Sequence, residues 1–176
     1  DLSARSIQQA ITRAEEAGLT IDFRRADMRI PLTDKIFDGV LNLFTAFGYF
    51  ESMEDNQIAI DSMISPLKAG GFFVQDFLNA DKVISDLVPQ DYREIGNAHV
   101  SQKRWIENNR IRKEIVFSYG DQSHTFNESV ALLRQEDFEE MYKKAGLEIT
   151  HIVGSYLGEP LTPASNRMIL FSKKLA

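Results

Sequence analysis

The 176-residue sequence contains no cysteine, which excludes disulfide staples, thiolate metal sites and a cysteine nucleophile. A chain without thiols suits a reducing compartment, and a cytoplasmic setting is the expectation. Histidine is nearly absent as well. His99, His124 and His151 stand far apart, without the spacing that gathers ligands around a metal, so no metal is expected. Positive charge is in deficit: 20 Lys and Arg against 26 Asp and Glu leave a net charge of -6 and a pI near 5.1. That balance argues against the clustered basic surface that phosphate backbones require, and no nucleic-acid partner is expected. No apolar run approaches the roughly 20 residues that cross a bilayer, so no membrane partner is expected either. What remains is a chain 43% hydrophobic and 26% charged, long enough to bury a core of its own, and it reads as a single domain over residues 1–176.

Helical and extended patterns alternate along most of that length. Ser3 is an N-cap candidate for a helix over about residues 4–17, where Ile7, Ala10, Ile11 and Ala14 share a face and Gly18 is the stop. Thr20–Ala26 alternates as a short strand, and Thr33-Asp34 reads as a turn into an apolar run, Phe37–Leu43, with the pattern of a strand buried on both faces. Glu51–Asp55 opens a helix with Ile58, Ala59, Met63, Ile64 and Leu67 inward, ending at Lys68 before a Gly70-Gly71 stop. Phe72–Phe77 is the next strand. This rhythm predicts a parallel α/β sheet with right-handed crossovers.

Residues 80–134 break the rhythm. A short helix near Asp81–Leu87 precedes three extended runs, His99–Glu107, Arg110–Tyr119 and His124–Leu133, separated by Asn108-Asn109 and Gly120-Asp121. They predict a three-stranded antiparallel insertion at about 97–134. Gln135–Ala145 returns to helix, with Phe138, Met141 and Tyr142 on one face and Gly146 as cap. Leu147–Tyr156 and Arg167–Lys173 are the last strands, placed to pair antiparallel.

The stretch Phe37-Asp-Gly-Val-Leu-Asn-Leu-Phe-Thr-Ala-Phe-Gly-Tyr-Phe50 is a strand running into a loop of small and aromatic residues. Open α/β sheets hold ligands just beyond such strand ends. With the DLS start, the ADM triplet at 26–28, the LKAGGFFVQDF unit and the closing GLEI strand, it resembles the class I S-adenosylmethionine-dependent methyltransferases. The resemblance implies a Rossmann-like α/β sheet, mostly parallel with an antiparallel last strand, S-adenosyl-L-methionine as cofactor, and methyl transfer to a small-molecule acceptor.

It also assigns residues. Asp1 falls where the family's acidic residue binds both ribose hydroxyls, although a terminal Asp ahead of a helix also serves as a cap. Asp27 would accept from the adenine amino group, with Met28 and Leu2 on the two ring faces; a turn Asp and a core Met are the plainer alternative. The backbone near Asn42, Leu43 and Phe44 would line the methionine portion of the cofactor, and Thr45–Phe50 would face the methyl group and its acceptor. Tyr49 is the candidate catalytic residue. Asp76, Trp105, His99 and His124 are lesser acid–base candidates. Phe44, Phe47, Tyr49 and Phe50 could hold a cation near a ring face, or simply pack, which is expected of at least two of them.

One family feature, the glycine-rich loop after the first strand, has no counterpart from Asp1 onward. The sequence therefore reads as an N-terminally truncated fragment missing the first two strands. The expectation is that the Phe37 strand has an open edge, that a second copy pairs there as a homodimer, and that the fragment does not hold the cofactor normally. Two other readings stay open: an NAD-type nucleotide-dependent oxidoreductase, and a non-catalytic binding or assembly module with the same fold.

Overall fold

A computed structural model describes residues 1–32 and 36–176, so the Thr33-Asp34 turn lies outside the described residues. Helix α1 spans Ala4–Glu16, opened by Ser3, whose hydroxyl accepts from the Ser6 amide at 3.1 Å. Strand β1 is Phe37–Asn42 and helix α2 is Met53–Ile64. Helix α2 is capped by Ser52 and carries Glu54 and Asp55 at its positive end, where carboxylates are favoured. Strand β2 is Leu67–Leu78 and helix α3 is Ala80–Ser85. Strands β3 Gln90–Ile95, β4 Ala98–Glu107, β5 Arg110–Tyr119 and β6 Gln122–Ala131 follow. Helix α4, Gln135–Ala145, and strands β7 Leu147–Val153 and β8 Arg167–Lys174 complete the order.

The strands form two four-stranded sheets. The first has the order β1-β2-β8-β7, with β1 and β2 parallel and β8 antiparallel to both its neighbours. The second, β3-β4-β5-β6, is antiparallel throughout. Phe47, Phe73, Phe77, Phe138 and Tyr142 are buried together, joining the loop after β1, strand β2 and helix α4. Phe77 and Phe138 meet edge to face at 5.2 Å, and Phe73 and Tyr142 at 5.7 Å. Such pairs add about 0.5–1.5 kcal/mol each beyond the area they bury. Val130 and Ala131, at the end of β6, sit in the same core and tie the second sheet to the first.

Several expectations are corrected. Residues 20–26 form no strand among the described residues: a ladder needs a neighbouring strand, and here the Ala26 amide bonds the Asp1 carbonyl and Arg25 Nε the Leu2 carbonyl instead. Strand β1 is not buried on both faces: Leu41 is 58% exposed, and β1 is the outermost strand of its sheet, so its expected open edge is present among the described residues. Helix α2 ends at Ile64 because Pro66 follows and Leu67 already pairs with Phe37. Ile60 takes the buried place expected of Ile58, which is 44% exposed. Gly70 (φ +75°) is no helix stop; it lies within β2, where the register with β1 shifts. The insertion has four strands rather than three and begins at Gln90. Its extra strand, QDYREI, hides behind charge at the sheet rim. Strand β7 stops at Val153, leaving Tyr156 in the connection to β8.

Candidate active site

Strand β1 delivers the chain into a tight turn at the sheet's carboxyl end. The Ala46 amide donates to the Leu43 carbonyl at 3.2 Å, and the two residues between, Phe44 and Thr45, have φ of +58° and +57°. Turns with both central residues left-handed ordinarily use Asn and Gly. Phe and β-branched Thr there store strain of about 1–3 kcal/mol each, so surrounding structure has to impose the shape.

Asp76, near the end of β2, imposes it. Its side chain is 1% exposed and both of its carboxylate oxygens are engaged. Oδ2 accepts from the Phe44 amide and from the Tyr156 hydroxyl, each at 2.8 Å. Oδ1 accepts from Arg167 Nε at 2.7 Å and lies in ion-pair contact with Nη2 at 2.6 Å. Arg167 Nη2 also donates to Thr45 Oγ1 at 2.9 Å, and the Thr45 amide donates to the Asp76 carbonyl at 3.1 Å. The hydrogen bond to Asp76 pushes the Tyr156 phenol upward, so it remains protonated and donating. Asp76, an acid–base candidate from sequence, is thus fully committed to holding backbone and guanidinium.

The far end of the loop is held by a buried guanidinium from the insertion. Arg110 donates through Nη1 to the Phe50 carbonyl at 2.8 Å and through Nη2 to the Gly48 and Tyr49 carbonyls, each at 3.2 Å. It also bonds Ser129 Oγ at 2.7 Å and the Ser129 carbonyl at 3.0 Å. Gly48 has φ +85°, and a Cβ there would meet the Phe77 ring at 3.1 Å. The loop's aromatics divide. Phe47 is buried and Phe50 packs on the core, while Phe44 is 76% exposed and Tyr49 51% exposed. Burial and the neighbouring Glu128 carboxylate both raise the Tyr49 phenol, so at neutral pH it keeps its proton.

The acidic residues expected to hold a nucleoside come together. The Ala26 amide donates to the Asp1 carbonyl at 3.1 Å, and Arg25 Nε to the Leu2 carbonyl at 2.8 Å, so Asp1-Leu2 lies alongside the approach to Asp27. Asp1 Oδ1 caps the Ser3 amide at 2.7 Å, leaving Oδ2 without a partner among the described residues. Asp27 is paired instead with Arg29, whose Nη2 reaches Oδ2 at 2.7 Å; this holds the Asp27 carboxyl down at about 2. Arg29 Nη1 bonds Asp55 at 3.0 Å, and its guanidinium lies 4.7 Å over the Phe50 ring. The cation near an aromatic face is therefore the protein's own, and Arg29 links the Asp27 corner to the Tyr49 loop. Met28 packs on the core and Leu2 is exposed. The Asn42 side chain turns inward, accepting from Gln75 at 2.8 Å and facing Met63 Sδ at 3.4 Å, so only its backbone faces the site.

The remaining candidates lie elsewhere. His99 pairs loosely with Glu94 on the insertion, His151 packs against Phe171, and Trp105 sits opposite Arg112. No cluster of metal-ligating groups occurs among the described residues. Surface hollows lined by Tyr142, Lys143 and Leu147, or by Tyr92, His99 and Val116, include no residue of the loop. Sequence reasoning missed Arg110, Tyr156 and Arg167. The one signal was for Arg167, a cation opening the otherwise apolar run RMILF; Arg110 begins a strand already rich in charge, RIRKEIVF, and Tyr156 had none.

Residues 1–75 match a family model described as a methyltransferase domain. A dTDP-3-amino-3,4,6-trideoxy-alpha-D-glucopyranose N,N-dimethyltransferase of Streptomyces venezuelae is 25% identical over 173 residues, covering 92% of this chain and 70% of that protein. The crystal structure of an S-adenosylmethionine-dependent methyltransferase from Clostridium acetobutylicum superposes with a TM-score of 0.90 at 18% identity, covering 100% of this chain and 74% of that one. The CcbJ methyltransferase of Streptomyces caelestis does so at 0.83 and 14%, covering 100% and 73%. Residues 1–75 are thus similar to the methyltransferase-domain family, and the chain as a whole shares the fold of solved S-adenosylmethionine-dependent methyltransferases.

Proposed function

We propose that this protein transfers a methyl group from S-adenosyl-L-methionine to an amine nitrogen of a small-molecule acceptor of the amino-sugar class. The observation that carries the reading is the joining of the Asp1–Asp27 corner to the clamped 43–50 loop through Arg29 and Phe50. It connects two carboxylates, Asp1 and Asp27, to the loop that carries the exposed Tyr49. When bound, the cofactor supplies an electrophilic methyl group on a sulfonium. In this reading the Asp1 Oδ2 atom accepts from ribose hydroxyls, and Asp27 accepts from the adenine amino group while still bonded to Arg29. Met28 and Leu2 flank the ring, and the backbone of Asn42, Leu43 and Phe44 borders the amino-acid end.

Little further chemistry is asked of the protein, because displacement at a methyl carbon is governed by alignment and proximity. Protonated Tyr49 is suited to orient the acceptor by a hydrogen bond, with Phe44 covering its apolar side. The amine class rests on the curated relative, whose name specifies an amino sugar as its substrate. The test is incubation of the full natural chain with S-adenosylmethionine and nucleotide-linked amino sugars, read by mass spectrometry. A product gaining one methyl group on nitrogen supports the reading, and methylation of hydroxyl analogues but no amines contradicts it. Tyr49→Phe is expected to lower kcat several-fold while leaving cofactor affinity unchanged.

A further inference from the structure

The most tightly built feature outside the expected contacts is the Asp76–Arg167–Tyr156 cluster. We propose that Asp76 is a positioning residue for the transfer reaction: directly at the Phe44 amide and through Arg167 at Thr45 it holds both residues left-handed and thereby fixes the aim of the Tyr49 loop. The inference rests on the methyl-transfer reading above. Oδ2 fixes the Phe44 amide while Oδ1 fixes Arg167, and the same guanidinium reaches Thr45 Oγ1, so backbone and side chain of the turn are gripped from one buried point. A carboxylate placed only for stability would be satisfied by Arg167 and Tyr156; this one also grips consecutive residues in a conformation their side chains disfavour. The Tyr156 contact adds the β7–β8 connection, so three separate stretches of chain converge on one side chain. Misplacement of a reacting loop by about 1 Å can cost on the order of 10²-fold in rate.

The test uses Arg167→Lys, which keeps the charge but loses the two-armed grip, and Thr45→Val, which removes only the hydroxyl acceptor and leaves the sheet intact should Arg167→Lys not fold. Hydrogen exchange is followed residue by residue without substrate, alongside kinetics with cofactor and amine acceptor. In Arg167→Lys, exchange at the Phe44 and Thr45 amides is expected to rise about tenfold while α4 exchanges as in the wild type. The kcat should fall by about 10²-fold with cofactor affinity changed by less than about threefold. Thr45→Val should show the same pattern at reduced size. Unchanged exchange at Phe44 and Thr45, or kcat and cofactor affinity falling together, would overturn the proposal. A wild-type protein that transfers no methyl group overturns the positioning role together with the reaction, and the exchange data, which need no substrate, then tell whether the clamp itself also fails.

Discussion

The two halves of the site use the same chemistry, carboxylate against guanidinium, in opposite surroundings. Asp76 and Arg167 meet at the edge of the interior, the carboxylate 1% exposed and the guanidinium side chain 21% exposed. Asp27 and Arg29 meet at the surface with comparable distances but with the Arg29 side chain 39% exposed. Loss of Arg167 would strand the Asp76 carboxylate without water, so the pair is permanent architecture. At the surface the pair competes with solvent and salt and contributes little to folding, but it can admit another hydrogen-bonding partner. The rigid half suits the loop that aims a reaction; the yielding half suits a nucleoside that comes and goes.

That contrast can be broken in order of effect. Asp76→Ala takes the counter-ion from Arg167 and the acceptor from the Phe44 amide and the Tyr156 hydroxyl, and chemical denaturation should show a loss of about 3 kcal/mol. Arg110→Ala should follow at about 2–3 kcal/mol, because it removes charge-assisted bonds to the Gly48, Tyr49 and Phe50 carbonyls. A loss at either site no larger than for a surface residue would erase the difference between the halves. Asp27→Ala should leave the denaturation midpoint nearly unchanged yet weaken S-adenosylhomocysteine binding by about tenfold in calorimetry. Full-strength binding would remove Asp27 from the site.

The smallest expected effect concerns acid. The Asp27 carboxyl in the folded chain lies at about 2, below its ordinary 3.8, so any stability it adds is complete above the higher value and disappears as pH falls through the lower. The melting difference between wild type and Asp27→Asn should therefore be constant above about pH 4 and shrink toward about pH 2. A difference that grows on acidification would reverse the assignment.

Much of this was readable in the sequence where the determinant is local. Ser3, Gly18, Ser52 and Gly146 mark helix ends because caps and left-handed stops act within a few residues. The nearness of Asp1 to Asp27 followed from a helix of predictable length returning to its starting edge. The Asp76 hub was not readable, because Asp76 and Arg167 lie 91 positions apart and neither has a local pattern that names its partner. Arg110 was hidden in the same way, and reaches the loop across 60 positions. Residues 20–26 were misread for a related reason: alternation shows what a segment could pair with, and only the surrounding chain decides whether a neighbour is there. The β3 strand failed in the opposite direction, since pairing with β4 made a strand of a segment whose composition barely suggests one.

The central claim is that the Asp27 corner and the 43–50 loop form one cofactor site. It is tested most directly by hydrogen exchange on the full natural chain with and without S-adenosylhomocysteine. The account predicts protection appearing together at residues 27–30 and 42–46, with NAD producing none. Protection confined to the insertion sheet, or to only one of the two segments, would contradict it.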